Sequence, residues 1–295
     1  MNFFLDQEWL AFLERTGAIS RACRLEVAGT CVWVGEYRNV RQKKWQLFGA
    51  CQEHDPAWLD ELFALGRQQG VFQVECAFNM ARWTDKGMLE AVGARITEEF
   101  GTYEVDLSQE QERLWSGLHP KHRSKVNKGR RAGLEVRFDL NPDDFALILD
   151  ETYARGGVGN PFSRSYLNAL FAMAGERLLL LGVYSSDRLE AGAVVPMDDA
   201  RGYFLHGAFR ADGVPGAAFL MHWSLIMALK ERGKAVYDIG GARRQTDDPR
   251  LAGIFRFKEG FGGKFLPCWY WCRVIHPGKK AVHDMVEWVR SRLTH

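Results

Sequence analysis

Lys258 lies in the segment Gly253-Ile-Phe-Arg-Phe-Lys-Glu-Gly-Phe-Gly-Gly263, where Phe255 and Phe257 bracket Arg256. With Ile254 and Phe261 also apolar, a short helix here is pinned by its hydrophobic side while Arg256 or Lys258 projects into a cleft. An ammonium fixed beside a tetrahedral oxyanion stabilises charge that exists only in the transition state, where stabilisation raises kcat. An ordinary surface lysine is the competing reading, and spacing alone favours it. Upstream, Val236-Tyr-Asp-Ile-Gly-Gly241 reads as a strand ending in Gly240 and Gly241. Neither glycine has a Cβ, so the backbone can approach a ligand closely. The polar run from there to Phe265 is long for a loop within a domain, and such loops are usually functional.

A second candidate is Phe204-Leu-His-Gly-Ala-Phe-Arg210-Ala-Asp-Gly213-Val-Pro-Gly216-Ala-Ala-Phe-Leu, in which a strand gives way to a glycine-rich loop and then a helix. Free N–H groups at such a helix start, with its dipole, can hold a phosphate or a carboxylate, and Arg210 adds a cation. An ordinary strand-to-helix turn accounts for the sequence equally well. The third candidate is His119-Pro-Lys-His-Arg-Ser-Lys-Val-Asn-Lys-Gly-Arg-Arg131, where Lys121, Arg123, Lys125, Lys128, Arg130 and Arg131 occur without one acid. On a helix Lys121, Lys125 and Lys128 share a face, a stripe suited to backbone phosphates. A solvated basic face is the alternative, made less comfortable by the repulsion of like charges four residues apart.

The elements that must position these residues follow from periodicity. Arg24 to Glu36 alternates around Ala28-Gly29-Thr30 and reads as a hairpin. A strand Trp45 to Ala50, a helix opened by Pro56 and ending at Gln69, a strand Val71 to Phe78, a short helix Lys86 to Val92 and a strand ending at Leu107 follow. Next come helices Gln109 to Leu118 and Lys121 to Ala132, a strand Leu134 to Phe138, and helices Pro142 to Tyr153 and Ser163 to Ala174. Strands Leu178 to Tyr184, Ala191 to Pro196 and Gly202 to Phe209 read as a meander, followed by a helix Ala217 to Arg232 and a strand Val236 to Ile239. The last helix, Lys279 to Leu293, carries Val282, Met285, Val286, Val289 and Leu293 on one face, which is expected to pack on a sheet of the first half. Antiparallel runs with intervening helices predict an α+β protein with a mixed, largely antiparallel sheet in each half.

At 295 residues the chain exceeds a single core, and its 46% hydrophobic and 26% charged residues are those of a globular protein. A net charge of +2 argues against a surface built throughout for nucleic acid, while leaving a local basic patch possible. The six cysteines contain no C-x-x-C pair, and Cys268 and Cys272 read as core thiols, so no metal is expected. Acids interrupt the apolar residues of Met1 to Thr16, and the apolar tract Ala217 to Leu229 is too short to span a bilayer, so a cytoplasmic protein is expected. Walker, H-E-x-x-H and nucleophile-elbow patterns are absent. His206 and His222, single histidines in apolar runs, read as satisfied core residues.

Tyr237-Asp-Ile-Gly-Gly241 followed by Gly253 to Gly263, with Lys121-His-Arg123 through Lys128 and Ala132-Gly-Leu-Glu-Val136, resembles the Fem family of aminoacyl-tRNA-dependent peptidyl transferases, of FemX type, within the GNAT-like group. The likeness runs from about Trp45 to Arg273. It implies two GNAT-like domains, expected at 1–106 with 276–295 and at 107–275. It further implies direct transfer of an amino acid from its tRNA ester to an amine of a peptidoglycan precursor or other small acceptor, with aminoacyl-tRNA as co-substrate and no bound cofactor. By the same resemblance Lys258 stabilises the oxyanion, the basic helix contacts tRNA, and Arg164 and Tyr166 fall where FemX-like enzymes contact the acceptor's phosphates. Glu75, Asp238 or the substrate itself could take the amine's proton, Gly240, Gly241 and Arg210 border the substrate, and of the family's Arg-x-Asp/Glu-Pro run only Glu75 is present. GNAT acetyltransferases hold the CoA pyrophosphate at a loop like Arg210 to Gly216, so an acyl-CoA-dependent N-acyltransferase is the second expectation. A noncatalytic RNA-binding module using residues 121–131 is the third.

Overall fold

A computed structural model describes residues 2–39, 42–50, 57–76 and 85–293 of the chain. These form two units, each with its own core: Phe4–Phe100 with Pro267–His295, and Gly101–Leu266 with Met1–Phe3. In the first, α1 (Gln7–Arg15) starts at Asp6, whose side chain accepts from Glu8 N, and it buries Trp9, Leu10, Phe12 and Leu13. Strands β1 (Arg21–Val27) and β2 (Thr30–Asn39) pair in the expected hairpin. The two turn residues, Ala28 and Gly29, both have positive φ, 49° and 70°, the turn whose twist matches that of the strands. Strand β3 (Gln42–Ala50), helix α2 (Ala57–Gln68) and strand β4 (Val71–Cys76) form a parallel βαβ crossover. Helix α3 (Lys86–Ala91) and strand β5 (Arg95–Glu99) end this stretch. The expected helix opening at Pro56 and the end of the expected strand at 77–78 lie outside the described residues.

The second unit runs through β6 (Gly101–Asp106), α4 (Gln111–Gly117), α5 (Pro120–Arg131), β7 (Glu135–Arg137), α6 (Pro142–Arg155) and α7 (Arg164–Phe171). It continues with β8 (Leu178–Ser185), β9 (Arg188–Pro196), β10 (Arg201–Tyr203), β11 (His206–Phe209), α8 (Ala217–Glu231), β12 (Val236–Ala242), α9 (Pro249–Glu259) and β13 (Lys264–Leu266). Its strands make two four-stranded sheets, in the orders β10-β12-β6-β13 and β11-β9-β8-β7, where one sheet was expected. The cause is a break in the run read as one strand, Gly202 to Phe209. Phe204 N donates to Asp238 O while the next amide, Leu205 N, donates to Val194 O, so the chain changes sheets between adjacent residues. Helix α8 is apolar nearly all round and fills the core between these strands with Leu220, Met221, Trp223, Leu225 and Ile226, as a helix buried on every side must.

The chain then re-enters the first unit. Strand β14 (Trp269–Val274) inserts between β4 and β5 to complete a six-stranded sheet, β1-β2-β3-β4-β14-β5. Two strands therefore stand apart from the expected boundaries: β6 pairs with β12 and β13, and β14 with β4 and β5. Sequence position could not assign them, because each pairs with partners far along the chain. The last helix, α10 (Pro277–Leu293), packs along β4, but with the opposite face from that expected. Val282, Met285 and Val289 are exposed, while Lys279 and His283 bond to Gly70 O and Gln42. All pairings are antiparallel except β3 with β4 and β10 with β12, so the protein is α+β with mixed, largely antiparallel sheets.

Candidate active site

The change of sheets at Phe204 and Leu205 leaves the end of β12 without a partner on its β10 side, while Gly241 and Ala242 stay paired with Thr102 and Gly101 of β6. Asp238, 6% exposed, accepts from Gly240 N at 2.8 Å and from Thr102 Oγ1, an Asx turn that breaks the β12 register between Asp238 and Gly241. Gly240 takes φ +82°, and a Cβ there would stand 3.2 Å from Phe204 O and 3.3 Å from Lys258 Nζ. Glycine is thus required both by the dihedral and by the approach of the lysine. The turn aims Gly241 O at Lys258, whose Nζ donates to it at 2.7 Å.

Lys258 sits in the last turn of α9, which begins at the Asp248 cap with Pro249 in its first turn. Phe255 and Phe257 anchor α9 on the core, and Arg256 is exposed, so of the two cations it is Lys258 that turns inward. Burial lowers its pKa from 10.5 to about 8, partly offset by the charge of Asp238. The amine remains largely protonated at neutral pH, and an ammonium has three donors, so the bond to Gly241 O leaves others for a ligand.

One wall beside Lys258 is His222, 2% exposed, with Nδ1 2.9 Å from Tyr237 Oη. The rings of Phe204, Phe257 and Phe261 lie 4.6, 5.4 and 4.7 Å from its own. Burial, then the charges of Lys258 and His122, push its pKa down to about 3, so His222 is a neutral, hydrogen-bonded wall rather than a base. His206 likewise is buried, bonded to Tyr166 Oη at 3.2 Å, and lowered to about 4 by burial.

A cavity of about 360 Å³ opens at the start of α8, lined by Lys125, Glu190, Arg210, residues 213–219 and Phe257. Gly216, the residue before α8, has φ +109° and lies against the backbone of α5, a Cβ there standing 2.5 Å from Lys125 O. No side chain caps this helix start. Arg210 lines the cavity, but its guanidinium is engaged by Glu151 Oε1 at 2.7 Å and Leu189 O at 2.8 Å. Glu190, 1% exposed, ties the loop down by accepting from Val214 N at 2.9 Å.

The basic segment is helix α5, as its spacing implied. Lys121, Lys125, Lys128, Arg130 and Arg131 are exposed along it, whereas Arg123 folds back to donate to Ser116 O at 2.8 Å and Leu118 O at 2.5 Å. Arg130 lies over the ring of Trp115 at 5.3 Å. The opposite face, His122, Val126 and Gly129, is buried. His122 Nε2 meets Phe257 O at 2.9 Å and His119 N donates to Gly260 O at 2.9 Å, so the basic helix is fastened to the helix that carries Lys258.

Arg164 and Tyr166 stand at the start of α7. Arg164 donates to Asp143 O at 3.1 Å and lies 3.7 and 3.8 Å from the carboxylates of Asp143 and Asp150, while burial raises the pKa of the Tyr166 phenol. Glu75 lies in the other unit, on β4, where Lys44 pairs with it at 2.8 Å and Gln73 Nε2 donates at 2.8 Å. It borders a second cavity of about 360 Å³, whose lining includes Gln46, Arg95 and Lys280. Of the expected residues, then, Lys258, Asp238, Gly240 and Gly241 come together, Arg210 and Lys125 share the α8 cavity, and Arg164, Tyr166 and Glu75 stand elsewhere. Thr102, His122 and Glu190 escaped the sequence reading, because each acts through a partner far along the chain, whereas His222 is the satisfied core residue that was expected. The only sequence signal was the isolated polar residue in an apolar run.

Residues 120–259 match the Acetyltransferase (GNAT) domain family, and the match takes in both α5 and Lys258. A search of curated proteins returned no match. Among solved structures the chain is similar to FemX, with a TM-score of 0.75 at 12% identity over 96% of this chain and 94% of that one. It is also similar to L-PGS from Bacillus licheniformis, with a TM-score of 0.61 at 14% identity over 95% and 96% of the two chains. A tandem GNAT protein of the clavulanic acid biosynthesis pathway superposes with a TM-score of 0.52 at 13% identity over 84% and 79%. The chain accordingly has the FemX-like form of the GNAT acyltransferase fold, in tandem arrangement.

Proposed function

We propose that the protein transfers an aminoacyl group from aminoacyl-tRNA to an amine of a peptidoglycan precursor or another small acceptor. The observation that carries this reading is Lys258, a partly buried ammonium held against Gly241 O at the turn where the two sheets part. The acceptor nitrogen attacks the ester carbonyl, a C–N bond forms, and the carbonyl oxygen becomes an oxyanion facing the Lys258 ammonium. Collapse breaks the C–O bond to the tRNA ribose, whose oxygen takes the proton lost by the amine, leaving an amide and free tRNA. Direct transfer suits the site, because the Thr102 and Tyr237 hydroxyls around it are engaged by Asp238 and by a His222 that burial keeps neutral. The exposed cations of α5, fastened to the helix of Lys258, would take the tRNA backbone. On its way to the leaving oxygen the proton passes through Asp238 or the substrate itself, while Glu75 is held on β4 by Lys44 and Gln73; Arg164 and Tyr166 are the proposed acceptor contacts.

Incubation with a mixture of charged tRNAs and an amine acceptor tests the reading. One aminoacyl ester is expected to be lost faster than in the absence of enzyme, with an amide product and discharge slowed roughly 100- to 1,000-fold in Lys258→Ala. Absence of discharge with every acceptor tried would sink the proposal. The uncapped start of α8 and its cavity favour a second reading, acyl-CoA as donor, in which the pyrophosphate lies at that helix start. Thermal stabilisation by acetyl-CoA and none by charged tRNA would select it. A noncatalytic RNA-binding role predicts tRNA binding through α5 with no turnover of either donor.

A further inference from the structure

Helix α10 presents its apolar side to solvent. Its contacts with the sheet are largely polar: Lys279 Nζ donates to Gly70 O at 3.1 Å, His283 Nδ1 lies 2.9 Å from Gln42 Oε1, and the His283 ring lies 4.9 Å from that of Phe72. On the other side Val282 is 52% exposed, Met285 61%, Trp288 54% and Val289 43%. Positions 282, 285 and 289 follow one another at helical spacing, and Trp288 adjoins them. These four are a large share of the exposed large apolar side chains among the described residues, and no other helix gathers more than one. Singly exposed apolar residues need no explanation, but a contiguous patch on one helix points to a surface that something covers.

The occupant can be argued from size and charge. Four side chains about half exposed offer a few hundred Å², well under the roughly 800 Å² per partner of a stable protein interface. The patch lies on a single convex helix, so a partner must conform to it rather than be received by it. No carboxylate falls at positions 278, 281, 282, 285, 288, 289 or 292, the side the patch occupies, and the Arg292 guanidinium lies 4.1 Å above the Trp288 ring on that side. Over its length the helix carries Lys279, Lys280, Arg290 and Arg292 against Asp284 and Glu287; Lys279 is turned to Gly70 O and Lys280 pairs with Asp284, so the cation beside the patch is Arg292. An apolar stripe edged by Trp and Arg, with an excess of cations, is the pattern of a helix lying flat in the headgroup region of a bilayer. No helix among the described residues is long and apolar enough to cross a membrane, so the contact is at the surface.

We propose that α10 docks this protein on anionic phospholipid bilayers, with Val282, Met285, Trp288 and Val289 entering the boundary between headgroups and acyl chains. The full chain is mixed with vesicles of phosphatidylcholine alone and of phosphatidylcholine with 30% phosphatidylglycerol (about the anionic share that gives a strong surface potential), and bound protein is measured by sedimentation. Binding to the anionic vesicles is expected. The triple variant Val282→Gln, Met285→Gln, Val289→Gln is expected to lower partitioning by roughly tenfold or more. Its melting temperature reports folding, and the single variant Met285→Gln, at the most exposed position, is expected to lower partitioning several-fold should the triple variant fold poorly. Absence of binding by the natural chain overturns the proposal, as does equal binding by folded variants. A concentration-dependent dimer lost in the variants, without vesicle binding, overturns it in favour of a second copy of the chain.

Discussion

Lys258 combines an enclosed position with a charge that must survive there, and its pKa records the tension. Burial lowers the amine from 10.5 to about 8, so between those values the unfolded chain holds a proton that the folded chain has released. Folding stability from this group therefore rises with pH across that window, and the strain of a buried charge is greatest below about pH 8. In the proposed reaction the dependence runs the other way, because the oxyanion would need the ammonium: turnover is expected to fall as pH rises through about 8. Lys258→Ala is expected to lower kcat by roughly 100- to 1,000-fold with little change in KM, read from steady-state kinetics with a charged tRNA. Asp238→Asn removes a charge that supports the ammonium, so the falling limb of the pH profile should move to lower pH. An unchanged limb in that variant would show that the limb belongs to another group. The motif around Lys258 was legible in the sequence, including its apolar anchors. Its hydrogen bond to Gly241 O, seventeen residues upstream, was not, since that depends on the Asx turn at Asp238.

At the scale of elements, the site depends on helices that meet backbone to backbone. Gly260 ends α9 against the His122 ring, and a Cβ there would stand 2.2 Å from His122 Cε1. Gly260→Ala must displace a ring that is itself bonded to Phe257 O, so a loss of about 1–3 kcal/mol is expected in urea unfolding, with weaker tRNA binding because α5 shifts. His122→Ala in the same background should recover part of the stability, and failure to do so would place the strain elsewhere. Gly216 meets α5 in the same way, with its positive φ and Lys125 O close by, so Gly216→Ala should be at least as costly. Periodicity located α5, α8, α9 and α10 well, and the cations of α5 were visible as a stripe. What periodicity left open was which face turns inward: α10 shows the same apolar spacing whether that face meets a sheet or something else.

For the whole molecule, net charge is only +2, so acid sensitivity is set by particular buried groups rather than by general repulsion. His206 and His222 have ordinary values of 6.5 lowered to about 4 and about 3 by burial, so the unfolded chain takes up protons that the folded chain refuses. The stability contributed by keeping them neutral is present above pH 6.5 and is lost as pH falls toward 4. The urea midpoint should therefore fall through this range, and His206→Gln should flatten the fall. A midpoint independent of pH between 6.5 and 4 would contradict the burial of both rings.

The sequence alone determined the α+β class, most helices and strands and the basic stripe of α5, and it offered Gly240 and Gly241 as a point of close backbone approach and Arg256 or Lys258 as the inward cation. These are carried by local rules: side-chain period, capping, and the backbone freedom of glycine. Only the tertiary structure decided that Gly202 to Phe209 is two strands in two sheets, that β6 and β14 pair as they do, and that Arg210 and Arg123 are held by Glu151 and by α4 carbonyls. The physical reason is common to all of them. A residue's type and neighbours fix which hydrogen bonds and apolar contacts it needs, whereas its partners come from segments tens of residues away, such as Phe204 with Asp238 and His122 with Phe257.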